Sequence, residues 1–127
     1  MPEKSAVQKM MIKAGDTVAF VRAPEGYPAA LGEFPDPVTI LYEPSLSAGV
    51  THVFVQSRSD LAEQLARLKP FVSPGAVLWV AFRKGTSKPQ PDFNRDDVLR
   101  EARSAGFHSL TLISLDADWS AFKFKLA

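Results

Sequence analysis

Ala76-Val77-Leu78-Trp79-Val80-Ala81-Phe82 is an unbroken apolar run, entered through Ser73-Pro74-Gly75 and left through Arg83-Lys84-Gly85. It is far too short to cross a membrane and too uniformly apolar for a strand with one wet face. The pattern that remains is a central strand of a mostly parallel sheet, with helices on both sides. Thr17-Val18-Ala19-Phe20-Val21-Arg22 has the same character. The rest of the chain supplies strands at 38–42, introduced by Pro35 and Pro37, and at 51–56, 107–115 and 119–126. In the last of these Phe122, Phe124 and Leu126 alternate with Lys123 and Lys125, so one face there is expected to be wetter.

Between the strands lie helix signals. Ser57 and Asp60 have capping-box spacing, and Leu61, Leu65 and Leu68 follow at i, i+4, i+7. Asn94 is a good N-cap, Asp96 and Asp97 suit the positive end of the helix dipole, and Val98, Leu99, Ala102 and Ala105 form a stripe closed by Gly106. Ser5 and Gln8 could cap a short helix from Ala6 to Ile12 that ends near Gly15, which leaves residues 1–14 as either that helix or a flexible lead. The expected fold is a three-layer α/β domain over residues 1–127, with an antiparallel C-terminal strand. At 127 residues, 46% hydrophobic and 23% charged, the chain is long enough to bury about two-thirds of its unfolded surface.

Composition also excludes chemistry. Without cysteine there is no disulfide, thiolate metal site or thiol nucleophile, and a formal charge of +1 argues against nucleic acid as a partner. Residues 1–9 lack a signal-peptide core, so a cytoplasmic location and no membrane contact are expected. His52 and His108 open their strands, away from the edge where ligands gather in open sheets, which argues against a catalytic histidine. No metal-ligand spacing is present.

The first strand runs into Ala23-Pro24-Glu25-Gly26-Tyr27-Pro28, where a nucleotide-binding α/β protein would carry its glycine-rich turn. Pro24 and Pro28 remove two N–H donors and Tyr27 fills space. Ile12-Lys13-Ala14-Gly15-Asp16-Thr17-Val18 and Leu68-Lys69-Pro70-Phe71-Val72-Ser73-Pro74-Gly75-Ala76-Val77-Leu78 nevertheless resemble the lead-ins to two strands of class I S-adenosylmethionine-dependent methyltransferases, a Rossmann-like family. The resemblance spans residues 12–126 and includes the closing helix, strand and antiparallel partner. Ala23-Pro24-Glu25-Gly26, the run from Leu78 to Gly85 and Asp118-Trp119-Ser120 look, more narrowly, like a small bacterial family of unassigned function with a degenerate version of that fold.

The resemblance implies a truncated topology. The chain has no room for the usual helix, strand and helix after the second strand, and Glu43 is the one residue in position to match the family's ribose-binding acid. It also implies that the second and third strands flank the first. The link between them, residues 43–50, is shorter than the dozen residues a parallel crossover normally takes, although eight residues can reach ~26 Å.

The carboxyl edge of such a sheet collects the candidate ligand-binding residues Glu25, Glu43, Arg83, Lys84, Thr86, Ser87, Lys88 and Trp119. The cations and hydroxyls of the loop after Phe82 suit a phosphate or carboxylate, and ion pairs from Lys84 or Lys88 to Asp116 and Asp118 are the plainer alternative. Trp119 is either a stacking surface or core. Two functions follow: a non-catalytic binding or interaction domain that uses no cofactor, S-adenosylmethionine included, or a small-ligand protein or reduced enzyme that takes an anionic or nucleotide-like molecule at that edge. Nucleic-acid binding through Arg83, Lys84, Lys88 and Arg95 is a weaker third. Lys123 and Lys125 read as guards on an open last strand, so a monomer is expected.

Overall fold

The computed structural model describes residues 5–84 and 93–127. Its strands are β1 (Thr17–Val21), β2 (Thr39–Leu41), β3 (Val50–Phe54), β4 (Val77–Arg83), β5 (Phe107–Ser114) and β6 (Trp119–Leu126), and its α-helices are α1 (Ala6–Lys9), α2 (Arg58–Leu68) and α3 (Arg95–Ser104). One mixed sheet runs in the order β2-β1-β3-β4-β6-β5. The first four of these neighbours are parallel, and β6 lies antiparallel to both β4 and β5.

The apolar runs are covered on both sides, as their composition requires. Val53, Val55, Leu78, Val80, Phe82, Phe122 and Phe124 face α2 and α3. The alternate residues, among them Val18, Phe20, Phe54, Trp79 and Trp119, face α1 and a single 3-10 turn at Ala29–Leu31. Among the described residues that second layer is thin. Lys123 therefore stays half-buried over the Trp79 ring, 5.7 Å from its centroid, while Lys125 is exposed.

Local sequence sets the helix starts. Ser5 with Gln8, and Asn94 with Asp97, form complete capping boxes. Ser57 accepts from the Asp60 N–H at 3.1 Å, whereas the returning bond to Asp60 comes from Gln56 N–H, one residue before the cap. Asp97 is held below the ordinary carboxylate range, first by the Asn94 backbone N–H and then by Arg58 and Arg100. α1 ends earlier than Gly15, because Met11 turns into the left-handed region at φ 59°.

The short crossover closes because β2 is only three residues long. Leu41, its last residue, is level with Ala19, and Val50, the first of β3, is level with Val18. The link must therefore shift sideways by two strand spacings, ~10 Å, with almost no travel along the strands. One expectation fails. The last strand is not open, because β6 sits between β4 and β5 with Lys123 and Lys125 inside the sheet, and among the described residues the free edges are β2 and β5. Among the described residues no helix is long and apolar enough to cross a membrane.

Candidate functional site

The chain leaves β1 toward β2 on one side and returns to β3 on the other, which makes the carboxyl ends of β1 and β3 the switch point where open sheets bind ligands. Here the turn after Val21 begins with Arg22 at φ 60°, a left-handed conformation that favours glycine and costs a side-chain-bearing residue about 1 kcal/mol or more. Arg22 Nε lies 3.3 Å from Asp60 Oδ1, and the other Asp60 oxygen accepts the Gln56 N–H at 2.9 Å. The ion pair ties the end of β1 to the start of α2. This tie was not legible in the sequence, where Asp60 is explained by capping alone.

Tyr27 closes the other side. Its ring lies on Phe54, the last residue of β3, with centroids 5.0 Å apart, and its hydroxyl donates to the Asp116 carboxylate. The second Asp116 oxygen accepts the N–H groups of Asp118 at 2.8 Å and Trp119 at 2.9 Å, which shapes the turn between β5 and β6. Phe54 is fully buried and meets the Trp119 ring edge-on at 5.2 Å, and the Arg83 guanidinium lies over Trp119, 5.1 Å from its centroid. A continuous line of side chains thus runs from the β1 turn to the end of β4.

The candidate residues are only partly brought together. Arg83 pairs directly with Trp119, and Lys84 follows with its N–H on the Asp118 carbonyl at 2.8 Å. Trp119 is buried, 3% exposed, so it is a packing residue and offers no open stacking face. The Lys84 ammonium donates to Ser114 Oγ at 2.7 Å, and among the described residues no ion pair joins it to Asp116 or Asp118. Glu25 and Glu43 are exposed. Glu43 follows β2, three strands from β4 and so ~14 Å away across the sheet, too far to share a small ligand with Arg83. Thr86, Ser87 and Lys88 lie outside the described residues. A recess of ≈ 200 Å³ beside Arg83 and Lys84 is lined also by Phe82, Asn94, Arg95 and Leu112.

His52 lies in the middle of β3, not at its opening. It is fully buried between Phe20 and Phe54, neither ring nitrogen has a hydrogen-bond partner among the described residues, and burial pushes its pKa from 6.5 down to about 3. A neutral imidazole sealed in this way moves no protons. His108 is exposed at the start of β5. Among the described residues no group of three acidic or histidine side chains could hold a metal ion.

No family model matches the chain, and no curated protein matches it in sequence. Solved structures do match. A SAM-dependent methyltransferase from Aquifex aeolicus superposes with a TM-score of 0.68 at 14% identity, over 97% of this chain and 90% of that one. The putative methyltransferase bound to the Trm112 activator of Haloferax volcanii gives a TM-score of 0.62 at 13% identity, over 95% and 86%. The glycopeptide N-methyltransferase MtfA, solved with S-adenosyl-L-methionine, gives 0.61 at 12%, over 96% and 86%. At these identities the likeness is one of fold, and the fold of this chain is that of the S-adenosylmethionine-dependent methyltransferases, Rossmann-like and mostly parallel.

Proposed function

We propose that this protein is a non-catalytic binding or interaction domain built on a methyltransferase-like fold, and that it does not use S-adenosylmethionine. The observation that carries this reading is the Tyr27 ring on Phe54 with its hydroxyl on Asp116, across the switch point. The residues there do not fit a bound nucleoside. Arg22 stands where close backbone approach needs glycine, Pro24 has no N–H to offer, and Tyr27 fills the space above Phe54. The sealed His52 supports the non-catalytic part, since it leaves the edge without a proton-transfer histidine.

Calorimetric titration with S-adenosylmethionine and S-adenosylhomocysteine tests this. No binding in the micromolar range is expected, and micromolar affinity for either compound defeats the proposal. A second reading, a small anion or nucleotide-like ligand held by Arg83 and Lys84, is favoured by the recess those residues share with Arg95. Titration with inorganic phosphate and common nucleotides distinguishes it: a Kd in the micromolar range that Lys84→Ala weakens would replace the first reading with the second.

A further inference from the structure

Among the described residues the sheet has two free edges, and they are not alike. β2 is three residues long and stands between Pro37 and Pro44, which blunts it against pairing. β5 is eight residues, Phe107-His108-Ser109-Leu110-Thr111-Leu112-Ile113-Ser114, with no lysine, arginine, carboxylate or proline. Leu110 and Leu112 are 46% and 38% exposed on it. The lysines that would guard an edge, Lys123 and Lys125, lie one strand inward on β6.

We propose that β5 pairs antiparallel with β5 of a second copy of this chain, which joins two sheets into one across a two-fold axis. A two-fold axis sets each residue near its own image, so a charge close to the axis would face a like charge. A self-pairing edge must be free of them near the axis, as the middle of β5 is; the ammonium groups bonded to the strand, Lys9 on the Ser114 carbonyl at 3.1 Å and Lys84 on the Ser114 hydroxyl at 2.7 Å, lie at its far end.

The side-chain faces select a register. Phe107, Ser109, Leu112 and Ser114 stand opposite Leu126, Phe124, Phe122 and Ser120, on the α3 side of the sheet. His108, Thr111 and Ile113 stand opposite Lys125, Lys123 and Ala121 on the other side. The strand shifts by one residue between Ser109 and Thr111, and Leu110, the shifted residue, lines a recess with Val77 and Lys125 of that side and with Ala76 and Leu126 of the α3 side. Outside the shifted residue, faces agree along the whole strand when the axis passes between Leu110 and Thr111. Ser109 then lies opposite the copy's Leu112, His108 opposite its Ile113 and Leu110 opposite its Thr111, which covers both exposed leucines. The shifted residue sits at the axis in both copies. Eight residues span ~27 Å, and an interface of that length buries less than ~1,200 Å² in total, so the dimer is expected to be a micromolar one.

Sedimentation of the native chain from low micromolar to submillimolar concentration reads the proposal directly. The mass should rise from one chain to two. Leu110→Asp, at an exposed position that leaves the circular dichroism unchanged, should weaken association at least about tenfold by placing like charges beside the axis. The chain has no cysteine, so mild oxidation of Leu110→Cys should give a linked dimer, and Ala62→Cys on the exposed side of α2 should not. A single-chain mass over the whole range overturns the proposal, and so does a Leu110→Asp variant that associates as tightly as the native chain.

Discussion

The ends of β1 and β3 and the ends of β4 and β6 lie on the same edge of one sheet, and they are built from different material. At β1 and β3 the chain has drawn its own side chains inward: Tyr27 on Phe54, Tyr27 to Asp116, Arg22 to Asp60. At β4 and β6 the charged groups remain nearer solvent, with Arg83 and Lys84 half-buried beside a recess. A ligand at the first place must displace packed rings and break two polar ties. A ligand at the second would compete with Ser114 for the Lys84 ammonium and with the Trp119 ring for the Arg83 guanidinium. The two ends of one edge therefore differ in how much packing a ligand would have to displace.

If the first region is core, its residues should behave as core. Phe54→Ala removes a fully buried ring in contact with Tyr27, His52 and Trp119, and should lower unfolding stability by about 3–5 kcal/mol in urea titrations. A loss under about 1 kcal/mol would mean that the rings do not pack as a unit. His52 sharpens the same point through pH. Its folded pKa is below its unfolded value, so the stability it contributes is present above pH 6.5 and is lost as pH falls toward about 3. The expected slope from this group is about 1.4 kcal/mol per pH unit across that window, and His52→Phe should flatten it. An unchanged slope in that variant would show that His52 does not carry the dependence.

Smaller effects separate the ties from the packing. Tyr27→Phe keeps the ring and removes the donor to Asp116, and should cost about 1–2 kcal/mol in thermal or urea unfolding. A cost near zero would reduce the Asp116 bond to a surface contact. Lys84→Ala should change stability by less than about 0.5 kcal/mol, since its bond to Ser114 is exposed. A larger loss would mean that the second region is also part of the core, and the contrast between the two would fail.

The layers were legible where local patterns are strong. The run from Ala76 to Phe82 marks the central strand, and the Ser5, Ser57 and Asn94 caps mark the helix starts. What sequence could not give depends on distant pairs. Tyr27 and Asp116 are 89 residues apart, and the conformation of Arg22 is visible only in the backbone. The placement of β6 inside the sheet is a matter of topology, and alternation along Phe122, Lys123, Phe124 and Lys125 reads the same for an edge strand as for an interior one with a thin second layer. Of the expected pairing of Lys84 or Lys88 with the turn aspartates, the Lys88 part lies outside the described residues, and Lys84 bonds to Ser114 instead for a similar reason. Asp116 is already occupied by Tyr27 and by the N–H groups of its own turn.

The most direct test of the filled switch point is a crystal of the native chain soaked with S-adenosylhomocysteine. The Tyr27 ring should remain on Phe54 with its hydroxyl on Asp116 and no nucleoside between β1 and β3. Density for the adenosine there, with Tyr27 swung outward, would contradict the central claim.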